Sequence, residues 1–290
     1  SWVIFGATNP AKFCNWNLLN ISTITIESGY SSNVNINSNV TISGNLNISG
    51  GNFNIQADSI TIRGDVNYAG GQFTANTSSV CFAGSANQTA SILGNTTFYS
   101  LTFDTPNTVF SQNSRFLING NVYFYNGTFN TSGSTVSIRS NIDRFGGNGI
   151  QANSGRWIIN GNQNQTFFPA ANTFFNDLEI YKVNGTTFGL NGVIDVNNDL
   201  IISSGVFNTG SNATYIQRDL VVNSDAFFNP SNGTVYFDGN LNSNVIMPVN
   251  QQLSNIYITK GNPSYTLSFT NDFTMTGKLT LAPGTLDCIK

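Results

Sequence analysis

At 290 residues the chain is long enough for one or two ordinary domains, and only 9% of it is charged, with 11 Lys and Arg against 14 Asp and Glu and a formal net charge of -3. That balance offers no basic field for a phosphate backbone, which argues against nucleic acid as a partner. With 39% hydrophobic residues, 23 of them Phe, the chain is too apolar for disorder, yet no apolar run reaches the roughly 18 residues of a membrane-spanning helix.

The chain opens at Ser1 on a strand-sized apolar run, Trp2-Val3-Ile4-Phe5, without an initiator Met or a basic leader. A signal peptide already removed, and an extracellular or cell-surface location, are the expectation. From Gly44 to Ala83 one short phrase is written twice. Gly44-Asn45-Leu46-Asn47-Ile48, Gly51-Asn52-Phe53 and Ile60-Thr61-Ile62 return in the same order, at one constant offset, as Gly64-Asp65-Val66-Asn67-Tyr68, Gly71-Gln72-Phe73 and Val80-Cys81-Phe82. Apolar residues at every second position mark half-buried strands, and Gly and Asn between them mark turns, so one phrase of about 20 residues is one coil of a stacked repeat.

A longer period lies over the first. Val80, Trp157 and Val235, each followed at a fixed distance by Gly84, Gly161 and Gly239, recur at offsets of 77 and then 78. Gly51-x-Phe53, Gly127-x-Phe129, Gly205-x-Phe207 and Gly284-x-Leu286 follow at 76, 78 and 79. The pattern divides the chain into a partial repeat over 1–43, full repeats over 44–119, 120–197 and 198–276, and an incomplete one over 277–290. Each repeat reads as coils of 20, 20 and about 36 residues, the last taken as two coils of about 18, which gives about fourteen coils in all. On this reading Phe53, Phe129, Phe207 and Leu286 share one inward column, as do Val80, Trp157 and Val235. The expected fold is all-β: one parallel β-helix (β-solenoid) domain over 1–290.

The strand-Gly-strand units, with Val80-Cys81-Phe82-Ala83-Gly84, Val235-Tyr236-Phe237-Asp238-Gly239 and Gly205-Val206-Phe207, resemble the repeats of bacterial and archaeal extracellular surface and adhesin-type proteins. The resemblance implies parallel β-helix repeats and bears on fold more than on function.

Candidate chemistry is sparse. The chain has no His, and Cys14, Cys81 and Cys288 show no C-x-x-C spacing, so no metal or cofactor site is expected. Asp177-Leu178-Glu179 with Lys182 is the nearest approach to a paired-carboxylate site; residues two apart on a strand share a face, and this one reads as an exposed face with a counter-charge. Asp65, Asp199 and Asp219 alternate with Asn45, Asn121 and Asn141 and read as turn residues. Asp143, Arg144, Arg156 and Trp157, beside Gly146-Gly147-Asn148-Gly149, form the most irregular spot, a loop insertion or a small glycan-contact patch. No catalytic residue is expected, and the protein is not read as an enzyme. Sequons at Asn20, Asn39, Asn47, Asn76, Asn87, Asn95, Asn126, Asn130, Asn164, Asn184, Asn212 and Asn232 permit glycosylation of an exported chain.

The expected role is structural: a subunit of a surface filament, sheath or layer. The alternatives are an adhesin or carbohydrate-binding stalk, and, less favoured, a polysaccharide-active enzyme. The partners are a second copy of the chain and surface glycans. Trp2, Val3, Ile4 and Phe5 read as a third strand completing the C-terminal partial coil of the next copy, against Leu279, Leu281, Leu286 and Cys288. Cys14 lies close enough in sequence to suggest a disulfide between copies.

Overall fold

Alternation in the sequence becomes alternation of burial. In Ser59–Ile62 the side chains of Ile60 and Ile62 are enclosed while Ser59 and Thr61 face outward, and Asn52–Ile55, Ser79–Phe82 and Thr234–Phe237 repeat the scheme. The computed structural model describes residues 2–6, 12–14, 20–92, 94, 96–112, 114–144, 146 and 149–288. Among these the chain is an all-β parallel β-solenoid without helix, winding in about 12 turns of roughly 21 residues. It divides into two compact units, Ser1–Ile138 with Asp143–Gly149, and Arg139–Ile142 with Ile150–Lys290.

In the first unit three inward columns fill the interior. Val34, Phe53 and Phe73 stand in register; the Phe98 ring lies 5.6 Å from Phe73 and 4.9 Å from Phe116, which is in register with Val136. A second column holds Ile24, Leu46 and Val66 and continues past Gln88–Ile92 to Phe110 and Phe129. Ile60, Val80, Leu101 and Val122 make the third. The second unit is built likewise. Trp157, Leu178, Leu200, Leu220 and Val245 form one column; Phe175, Val196, Ile216, Phe237 and Ile258 form another. Phe188, Phe207 and Phe228 stack at 5.7 Å in the third. Each enclosed Phe, Leu or Ile contributes about 1.5–3 kcal/mol of burial, shared with the coils above and below.

The column assignments expected from the long repeat are corrected here. Phe53 and Phe129 lie on different columns of the first unit; in the second, Trp157 and Val235 separate, as do Phe207 and Leu286. The reason is arithmetical. With three strands per coil, one long repeat spans eleven strand segments, or three and two-thirds coils, so equivalent positions turn by one face. The coils of about 18 residues expected late in each repeat are not found there, where Leu101 pairs with Val122 and Ile256 with Leu279; the longest steps come earlier, from Val66 to Ala90 and from Leu220 to Val245.

The repeat's two glycines have separate causes. Gly51, Gly127, Gly205 and Gly284 all take positive φ, from +56° to +134°, at the corner leading into the next strand. Gly84, Gly161 and Gly239 lie against the carbonyls of Arg63, Arg139 and Gln217 in the coil beneath, where a Cβ would collide, and Gly161 takes positive φ, +122°, as well. Corners are tied by side-chain oxygens that accept the next coil's N–H: Asn45 from Asp65 at 2.9 Å, Asp65 from Thr89 at 2.8 Å, Asn141 from Thr166 at 3.1 Å and Asp219 from Asn244 at 2.8 Å. This is the turn role expected of Asp65, Asp219 and their Asn equivalents.

Candidate functional site

One outward column of the second unit breaks the polar coat. In register from strand to strand, its outward residues are Gln151, Phe174, Asp195, Tyr215, Tyr236 and Tyr257. The tyrosines form a ring ladder: Tyr215 and Tyr236 lie 4.4 Å apart at an interplanar angle of 13°, and Tyr236 and Tyr257 5.4 Å apart at 33°. Stacked rings present edges and hydroxyls to solvent and turn their faces to each other, so the ladder has a free ring face only where it stops. It stops at Asp195, whose side chain is too short to continue it. Phe174 resumes the aromatic character one strand further on.

The result is a groove of about 500 Å³ between Phe174 and Tyr215, with Asp195 inside it and Asp238, Gln151 and Val193 among its lining residues. Asp195 and Asp238 each bury one carboxylate oxygen, Oδ1, that has no hydrogen-bond partner. Burial pushes the Asp195 carboxyl up to about 6, and the neighbouring Asp238 adds to the rise. Burial raises Asp238 as well, against a lowering by its own backbone hydrogen bond and by Lys260. Two carboxylates that repel one another thus share a partly desolvated, aromatic-walled groove, with the charge of Lys260 acting on Asp238.

No family model matches the chain, and no curated protein or solved structure matches it.

The other sequence candidates are dispersed. Asp177 and Glu179 do share an outward face, but Glu179 pairs with Arg156 at 2.6 Å and accepts from Ser203, while Asp177 accepts from Asn198 and from the N–H of Asp199. Lys182 is not their counter-charge. It faces inward, 2% exposed, donating to the Gln163 carbonyl at 2.5 Å and to Gln165 Oε1. Its repeat equivalent Lys260, 1% exposed, donates to the Gln217 carbonyl at 3.2 Å and to Ser243 Oγ at 2.6 Å. Burial lowers both ammonium groups to about 8. Trp157 cannot stack on a ligand: it is fully enclosed, edge-on to Phe175 at 5.3 Å. Asp199 is held by Arg218 and accepts from the N–H of Asp219.

Cys81 is half-buried, and desolvation, with Asp104 next, raises its thiol to about 11, which suppresses the reactive thiolate. The side chains of Cys14, Cys288, Trp2 and Val3, of Arg144, and residues Gly147, Asn148 and Asn95 lie outside the described residues. Sequon residues Asn20, Asn39, Asn76, Asn87, Asn126, Asn164, Asn184 and Asn232 are exposed, and Asn47, Asn130 and Asn212 are half-buried.

Trp2–Phe5 differs from the spare third strand expected of it. Trp2, Val3, Ile4 and Phe5 pair in parallel register with Thr23, Ile24, Thr25 and Ile26, and together with Lys12–Cys14 and Asn20–Ile21 they make a coil of their own. Their place in the winding is set by that register and not by equating Val3 with Val80, which relies on a repeat that turns by one face at each copy. Phe5 is buried, with its ring 5.6 Å from Tyr30, and Ile4 points outward. Leu279 and Leu281 pair with Ile256 and Ile258, and Leu286 pairs with Leu267.

Proposed function

We propose that the protein is a structural component of an extracellular surface, a subunit of a filament, sheath or layer. The observation that carries this reading is the coat. Asn52 donates to Asn33, Asn54 to Asn35, Asn67 to Asn47 and Gln217 to Asn197, all between 2.8 and 3.0 Å. Uncharged amides on one coil thus bind those on the next, and stability accumulates coil by coil, as in repeat proteins whose work is mechanical or organisational. Chemistry of attachment follows from the same coat, and an adhesin or carbohydrate-binding stalk is the second reading. Catalysis forms no part of either.

In the proposed assembly copies stack head to tail, coil on coil rather than by insertion of a missing strand. Support comes from the solenoid itself, whose strands pair edge to edge from coil to coil, as Leu279 and Leu281 do with Ile256 and Ile258. A second copy laid over the coil of Leu279 and Leu281 would continue the columns and pair its strand edges. Electron microscopy of the purified chain at rising concentration tests this. Uniform filaments are expected, reverting to single particles of unchanged melting temperature in the Leu279→Asp, Leu281→Asp variant. A parent that stays single at every accessible concentration overturns the assembly, and release of reducing sugar from polysaccharides overturns the non-catalytic reading.

A further inference from the structure

The geometry points to a binding slot for a flat cation, a guanidinium group, between Phe174 and Tyr215 over Asp195. Phe174, Asp195 and Tyr215 occupy successive strands in register, which places the two aromatic residues two strand spacings apart, about 9–10 Å. Within the same column neighbouring tyrosine rings lie 4.4 and 5.4 Å apart across one spacing. The interval between Phe174 and Tyr215 is therefore the thickness of one planar group lying parallel to the ladder. Tyr215 turns one ring face to Tyr236 and lines the groove on the side of Asp195. A planar group entering there would extend the stack by one member.

The electrostatics choose the kind of planar group. A neutral ring would leave the Asp195 and Asp238 carboxylates repelling one another, each with an unpartnered buried oxygen, and would bring Asp195 no counter-charge. A guanidinium supplies a delocalised positive charge, a flat face that stacks on aromatics, and paired N–H donors spaced for a carboxylate. An alkylammonium supplies the charge alone. Lys260, whose charge acts on Asp238, directs its hydrogen bonds away from the groove carboxylates, to the Gln217 carbonyl and Ser243 Oγ. The guanidinium can come from a free small molecule or from an arginine side chain of another protein; the slot recognises the group common to both.

Calorimetric titration of the full chain with N-methylguanidinium tests the slot at millimolar concentrations, well below those that denature. Saturable binding is expected, about tenfold weaker in Asp195→Asn and weakened in Tyr215→Leu, with methylammonium several-fold weaker than N-methylguanidinium. Because Asp195→Asn keeps shape and removes charge, its circular dichroism and melting curve establish that the loss is not unfolding. Two further ligands separate the sources: a blocked Gly-Arg-Gly peptide that binds at least as well as N-methylguanidinium assigns the slot to a protein side chain, and one that fails while agmatine binds assigns it to a small molecule. Absence of saturation, affinity unchanged in Asp195→Asn, or equal affinity for methylammonium overturns the proposal.

Discussion

Two outward columns, built on the same strand geometry, behave in opposite ways. In the first unit Thr25, Asn47 and Asn67 follow one another in register, Asn47 donating to Thr25 Oγ1 at 3.3 Å and Asn67 to Asn47 Oδ1 at 3.0 Å. The amide donors of Asn47 and Asn67 thus each meet an acceptor one coil away. In the second unit Phe174, Asp195 and Tyr215 follow one another with rings on either side of a carboxylate whose buried Oδ1 has no partner. The backbone does not distinguish the two. What separates coat from site is whether adjacent coils carry side chains that satisfy each other, which is the test that polar groups must meet when partly withdrawn from water.

The comparison predicts that the two units differ outside and agree inside. Phe53→Asp in one and Phe237→Asp in the other should both be severe. Truncating a fully enclosed Phe to Ala costs about 3–5 kcal/mol and a buried unpaired carboxylate adds to that, so chemical denaturation should find both variants largely unfolded at room temperature. A mild effect in either unit would mean its columns are not load-sharing.

The next effect is alkaline and inward. Lys182 and Lys260 have their ammonium groups lowered from the usual 10.5 to about 8 by burial, so between those values the unfolded chain holds more protons than the folded one. Stability should therefore rise as pH increases from about 8 towards 10.5, and flatten below 8. Asp238 and Asp219 face Lys260 and oppose the lowering there. Urea midpoints across that range should show the slope, and Lys182→Met with Lys260→Met should remove it.

Smaller still, and of opposite sign in the two columns, are the outward changes. Asp195, raised from the usual 3.8 to about 6, favours its protonated form in the fold, so the folded chain binds more protons in that window and stability falls as pH rises through it. Asp238 and Tyr215 are the titratable groups facing it. Asp195→Asn should stabilise the protein at pH 7 by on the order of 1 kcal/mol after solvent screening, and not at about pH 3.5, below the usual carboxylate value. Asn67→Ala should instead lose about 0.5–1 kcal/mol at every pH, the worth of a net hydrogen bond. Equal and pH-independent effects from the two substitutions would erase the distinction between the columns.

Strands, turns and repeat period were legible in the sequence because each follows from local chemistry: alternation at Ile60 and Ile62, positive φ at Gly51 and Gly205, a carboxamide at Asn45 that accepts the next coil's N–H. The groove was not legible. Phe174, Asp195 and Tyr215 stand a full coil apart in the chain and meet only when the true coil lengths are known, and an alignment on the long repeat places none of them together. A second scan of the outward positions, one coil at a time, would have found the even spacing of Tyr215, Tyr236 and Tyr257. Lys182 misled for the opposite reason: its charge argued for the surface, while the carbonyl of Gln163 and the amide of Gln165 hold it inside.

The eleven-strand repeat has a bearing on how such a chain can change. Adding one more copy leaves the winding a third of a turn out of phase, so a residue placed in the repeat is dealt to the three sides in rotation and returns to its first side only with the third further copy. Tandem duplication of this long unit thus spreads any new surface chemistry evenly over the sides. A stripe such as Tyr215, Tyr236 and Tyr257, one residue per winding, is instead written at the period of the single coil.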